Sequence, residues 1–93
     1  MIYTVLMTRR AQKELRKVPE FIRDKLESWV QAVREIGLEE VRKVPGYHDE
    51  ALKGDRKGQR SIKLNRSYRA IYIIMRGGTV EFVSIEEVNK HEY

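Results

Sequence analysis

Tyr68-Arg69-Ala70-Ile71-Tyr72-Ile73-Ile74-Met75 constrains this chain more than any other stretch. Its apolar residues fall on both faces of an extended backbone, so it reads as a central strand covered from two sides. Gly77-Gly78 follows at once and is a strong two-residue hairpin signal. Thr79 to about Val88 is the next strand. Upstream, Arg60 to Leu64 alternates, with Ile62 and Leu64 on one face and Ser61 and Lys63 on the other. Asn65-Arg66-Ser67 turns between the two. A chain of 93 residues has room for one core, so a single domain over 1–93 is expected.

The first half must supply the cover. Residues 2–7 read as a strand, and Thr8 as the N-cap of a helix whose apolar positions are Ala11, Leu15 and Val18. Val18-Pro19 interrupts that helix, because a residue before proline is pushed out of the α region. Proline then suits the first turn of a second helix. Its stripe is Ile22, Leu26, Trp29, Val30, Val33 and Ile36, and Gly37 ends it. Leu38 to Val41 allows one further helical turn. Pro45-Gly46 and Gly54 through Gly58 read as loop, within a connection long enough to suggest function. The order is β-α-α-β-β-β, with the last strand whole or broken in two. That is an α+β domain: a helical hairpin packed on one face of a mostly antiparallel four- to five-stranded sheet. The other face must be polar or occupied. Lys63 projects onto it, so part of that face is basic.

Several chemistries are excluded. There is no cysteine, hence no disulfide, thiolate metal site or cysteine nucleophile. No apolar run approaches the roughly 20 residues of a membrane span. Met1 to Met7 has no basic leader and no small-residue cleavage site, so no signal peptide is expected and a cytoplasmic location is. Gly54 and Gly58 do not open a helix with Lys-Ser/Thr as a phosphate loop would. His48 and His91 are far apart, and His48-Asp49-Glu50 alone is weak evidence for a metal. Ser28, Ser61, Ser67 and Ser84 lie in no nucleophile elbow. No cofactor and no metal are expected.

The charge is informative. The net charge is +5, and the basicity is concentrated. Residues 9–17 are basic, whereas acids outnumber bases over 20–50. Residues 53–69 set Lys53, Arg56, Lys57, Arg60, Lys63, Arg66 and Arg69 against Asp55 alone. A polyanionic partner fits such a stretch; so does a solvated face. Glu50 sits just before it, and His91 and Tyr93 close the sequence. Cleaving RNA without a metal needs a base for the ribose 2′-hydroxyl, cations for the phosphorane and an acid for the leaving 5′-oxygen. Glutamate, clustered Arg and Lys, and histidine cover these roles, and tyrosine can orient a phosphate or stack on a base. Each residue also has a plainer use. Glu50 fits a surface carboxylate, His91 an exposed terminus, Arg69 a sheet flank and Tyr93 an edge cover. Tyr68 and Tyr72 fit packing, and Trp29 fits the core. On residue spacing alone this is a basic, nucleic-acid-binding α+β domain.

Glu50-Ala51-Leu52-Lys53-Gly54, then Gly58, Ser61, Lys63 and Asn65-Arg66-Ser67-Tyr68-Arg69-Ala70-Ile71-Tyr72, resembles the RelE/YoeB type of bacterial toxin. His91-Glu92-Tyr93 is similar to the His-Tyr endings of such toxins, with Glu92 interposed. Element order and length agree over essentially the whole chain. The resemblance implies the toxin of a type II toxin–antitoxin pair, a ribosome-dependent mRNA endonuclease acting in the A site. It implies products with a 2′,3′-cyclic phosphate and a 5′-hydroxyl, and a cognate antitoxin as partner. Carried over, Glu50 matches the base, Arg69 the phosphorane-stabilising arginine, His91 the acid and Tyr93 the terminal aromatic. The roles of Glu50 and His91 are interchangeable at this point. Lys53 and Lys63 match basic positions around the phosphate, and Arg56, Lys57, Arg60 and Arg66 join them as expected RNA contacts. Two alternatives stand beside this: a ParE-like toxin of the same fold that inhibits gyrase, and a non-enzymatic RNA- or ribosome-binding module.

Overall fold

A computed structural model describes residues 1–90; His91, Glu92 and Tyr93 lie outside the described residues. The chain opens with strand β1 (Val5–Met7), shorter than the expected 2–7. Ile2 is drawn out of the ladder because its carbonyl accepts from the Leu38 amide at 2.8 Å and its own N–H donates to Glu39 Oε1 at 3.3 Å. Thr8 caps helix α1 (Arg9–Leu15) as expected, its Oγ1 accepting from the Ala11 amide at 3.1 Å. Helix α2 (Glu20–Ile36) starts after Pro19 and buries Ile22, Leu26, Trp29 and Val33 along one stripe. Gly37 stops it at φ 90°, where a Cβ would meet the Tyr3 ring at 3.4 Å. Helix α3 (Leu38–Val41) is the further turn.

The 38–58 connection is more regular than expected. It holds 3₁₀ turns at Pro45–Tyr47 and Gly54–Arg56 and a two-residue strand, β2 (Glu50–Ala51). Strands β3 (Arg60–Lys63), β4 (Tyr68–Gly77) and β5 (Val80–Lys90) complete a five-stranded sheet in the order β1-β5-β4-β3-β2. β1 pairs with β5 in parallel, and every other pair is antiparallel. β4 is the middle strand, but its cover on both faces extends only to Tyr72. Ile74 and Met75 are 38% and 43% exposed, because the hairpin runs out past the helices. The hairpin turn itself is Gly78-Thr79, one residue later than expected, since Gly77 pairs with Val80 and Gly78 takes the positive φ of 64°.

β5 is one strand, not two, and it carries a bulge. Ile71 pairs with Glu87 and Tyr72 with Ile85, leaving Glu86 unpaired. The extra residue resets the alternation. Val83, Ile85 and Val88 all reach the core against the helices, while Glu87 turns to the opposite face. Glu14 of α1 ties the strand to the helical layer by accepting from the Val88 amide at 2.9 Å. No helix among the described residues is long and apolar enough to cross a membrane.

Candidate functional site

Pairing in the sheet brings the site together. Glu50 on β2 lies opposite Ser61 on β3, and Lys63 opposite Arg69 on β4. Strand alternation puts Ser61, Lys63 and Arg69 on the face away from the main core, because Ile62 and Ala70 between them pack into it. The β3–β4 turn is built by Asn65, whose Oδ1 accepts from the Ser67 and Tyr68 amides at 2.7 and 2.8 Å. The result is a cleft of about 230 Å³. Glu50, Lys63, Arg66 and Arg69 line it, with His48, Ser61, Asn65 and Tyr68. Glu50 carries a close partner that sequence reasoning passed over: His48 Nε2 stands 3.5 Å from Glu50 Oε2. In the sequence, His48 suggests only a weak metal ligand. No periodicity signalled the contact, because His48 has a left-handed backbone at the end of a 3₁₀ turn and lies outside the extended segment that begins at Glu50.

Arg69 is half-buried, and its Nε donates to Asn89 Oδ1 at 3.5 Å. It also borders a second cleft of about 360 Å³ beside Arg10, Arg56, Glu87 and Lys90. There Arg56 is already engaged. Its Nη1 donates to Glu87 Oε2 at 2.8 Å and its Nη2 to Glu87 Oε1 at 3.3 Å. That bond holds the Glu87 carboxyl below its usual range against the opposing effect of burial, with Arg56, Arg10 and Arg69 adding their charge. The pair braces the Gly54–Arg56 turn over β4 and β5 where Ile71 is buried outside the main core. The second face of the sheet is therefore partly occupied by the chain itself.

Arg60 is placed apart from the cleft. It shares the face of Ile62 and bonds Asp49 Oδ1 at 2.7 Å. Asp49, with its side chain 1% exposed, accepts from the Tyr72 hydroxyl at 2.5 Å through its other oxygen. Burial, and next the bond to Asp49, push the Tyr72 phenol well above its ordinary range. Tyr72 in turn packs on Trp29, ring centroids 5.2 Å apart. The alternation of Arg60 with Ile62 could have shown this from sequence. Lys53 and Lys57 are exposed on the loop and line neither cleft. His91 and Tyr93 fall outside the described residues. Lys90, the last described, pairs with Tyr68 at the cleft wall. Among the described residues no group of three or more His, Asp or Glu side chains could hold a metal ion.

No family model matches the chain, and no curated protein matches it in sequence. Solved structures do. YafQ from E. coli superposes with a TM-score of 0.73 at 15% identity, covering 94% of this chain and 91% of that one. A YoeB/ParE toxin from Agrobacterium tumefaciens gives 0.69 at 15%, covering 96% and 99%. The toxin–antitoxin complex RelBE2 from Mycobacterium tuberculosis gives 0.56 at 25%, covering 96% and 98%. The fold, helices on a five-stranded mixed sheet, is that of the RelE/YoeB-type toxins.

Proposed function

We propose that this chain is the toxin of a toxin–antitoxin pair and cuts mRNA on the ribosome without a metal. One observation carries the reading: Glu50, Lys63 and Arg69, from three strands, share one cleft on the face of the sheet away from the helices. Cleavage is an in-line displacement. The ribose 2′-oxygen attacks phosphorus, the P–O5′ bond breaks, and a 2′,3′-cyclic phosphate and a 5′-hydroxyl result. The Arg69 guanidinium offers a planar fork of donors to the phosphorane oxygens, and Lys63 adds a point charge beside it. Glu50 is assigned, on the family resemblance, to the end where the 2′-hydroxyl loses its proton. His91 is assigned the acid that protonates O5′, and Tyr93 the aromatic that shapes the site; both assignments rest on the family resemblance. Arg66, Lys53 and Lys57 are assigned to the RNA backbone, whose attraction should weaken steeply with salt. Arg60 serves inside the protein, and Arg56 is engaged by Glu87. One of the similar structures is a toxin–antitoxin complex, which supports an antitoxin as partner.

The test is cleavage mapped on mRNA in programmed ribosomes. Arg69→Ala should cost about 10²–10³-fold, the usual loss of one oxyanion donor, while melting like the wild type. His91→Ala should cost about 10²–10⁴-fold, the range for a general acid. Full cleavage by both variants removes the nuclease assignment.

A further inference from the structure

His48 is a cleft residue that no step above uses. Its backbone is left-handed, φ 46° and ψ 52°, a conformation that a side chain with a Cβ enters at a cost. The conformation is held from both sides. The His48 amide donates to the Pro45 carbonyl at 3.0 Å, closing the preceding 3₁₀ turn. The next residue, Asp49, is pinned inward by Arg60 and Tyr72. With Asp49 fixed inside, His48 and Glu50 on either side of it reach the cleft, 3.5 Å apart. That distance decides what they can do. In an in-line displacement the attacking and leaving oxygens occupy opposite apices of the phosphorane, so base and acid must stand on opposite sides. Groups 3.5 Å apart stand on one side. His48 and Glu50 cannot be divided between the two ends of the reaction.

Resting on the ribonuclease reading above, we propose that His48 and Glu50 form one proton-accepting unit facing the attacking 2′-hydroxyl. A ring nitrogen of neutral His48 accepts the O2′ proton as the O2′–P bond forms. The P–O5′ bond breaks with its electron pair on O5′, which takes a proton from the acid at the far apex, the role given to His91. The Glu50 carboxylate is the counter-charge of the imidazolium that forms. An imidazole suits the task better than a carboxylate, because a base is most effective when it titrates near the working pH. Among the described residues, the charged and titratable groups sharing the cleft with the ring are Glu50, Lys63, Arg66, Arg69 and the Tyr68 phenol.

The experiment is the pH profile of mRNA cleavage on programmed ribosomes for the wild type, His48→Asn, Glu50→Gln and the double variant. Asparagine keeps the tolerance for left-handed backbone and removes the proton acceptor. We expect His48→Asn to lose about 10²-fold or more and to lack the acidic limb of the wild-type profile. Glu50→Gln should slow cleavage and keep that limb. The double variant should be no slower than His48→Asn within a few-fold, because the two act as a unit. His48→Gly should regain part of its rate on addition of free imidazole, which a structural role would not allow. Wild-type rate and limb in His48→Asn, or multiplicative losses in the double variant, overturn the proposal while the nuclease reading stands. Wild-type protein that leaves mRNA intact removes both.

Discussion

Arg60 and Arg69 stand on neighbouring strands but opposite faces of the sheet, and their surroundings differ accordingly. Arg60 turns toward the helices and meets a carboxylate with its side chain 1% exposed. Arg69 turns toward the cleft, where its hydrogen-bond acceptor among the described residues is the neutral Asn89 amide at 3.5 Å. The first guanidinium is consumed by the fold. The second keeps most of its five donors for an anion. Arg56 sits between these cases, bound to Glu87 by two bonds yet 40% exposed. A basic run in a sequence is thus a mixture of internal counter-ions and external contacts, and only the partner on each strand face separates them.

Substitutions that reach one face and spare the other test this contrast. Arg60→Leu should cost about 3–5 kcal/mol in urea unfolding, because it strands the Asp49 carboxylate inside; stability within 0.5 kcal/mol of the wild type would break the distinction from Arg69→Ala. Tyr72→Phe, which removes one donor to Asp49 and leaves its ionic partner, should cost about 1–3 kcal/mol by the same measurement. Glu87→Gln should cost about 1–2 kcal/mol at neutral pH, the lower figure reflecting solvent screening of Arg56. The Glu87 carboxyl is lowered in the folded protein. Its contribution is therefore full above the ordinary carboxylate range and is lost as pH falls through the lowered folded value. The gap between Glu87→Gln and the wild type should close as thermal melts are taken from pH 7 toward strongly acidic solution. A gap that widens in acid would show that Arg56 does not hold Glu87.

Much of the frame was legible because it rests on local chemistry. Thr8 caps, the Ile22-Leu26-Trp29-Val33 stripe faces inward, Gly37 terminates, and Ile62 and Leu64 share the buried face. Features set by pairing were harder to read. The hairpin turn moved to Gly78-Thr79 because β4 and β5 pair through Gly77. Within the site, Glu50, Lys63, Arg66 and Arg69 line one cleft, whereas Arg60 was read by its charge rather than by its place in the alternation. The role of His48 depends on a left-handed backbone that no residue type announces and on a buried neighbour that alternation alone does not reveal.

The unpaired Glu86 divides β5 into two segments with opposite orientation. Removing that one residue would leave Ile85, Glu87 and Val88 in plain alternation, each still opposite its present neighbour on β4. The carboxylate that steadies Arg56 and the amide that touches Arg69 would both keep their stations. A deletion at Glu86 is thus absorbed by the bulge, whereas a deletion in an unbulged strand exchanges inside for outside.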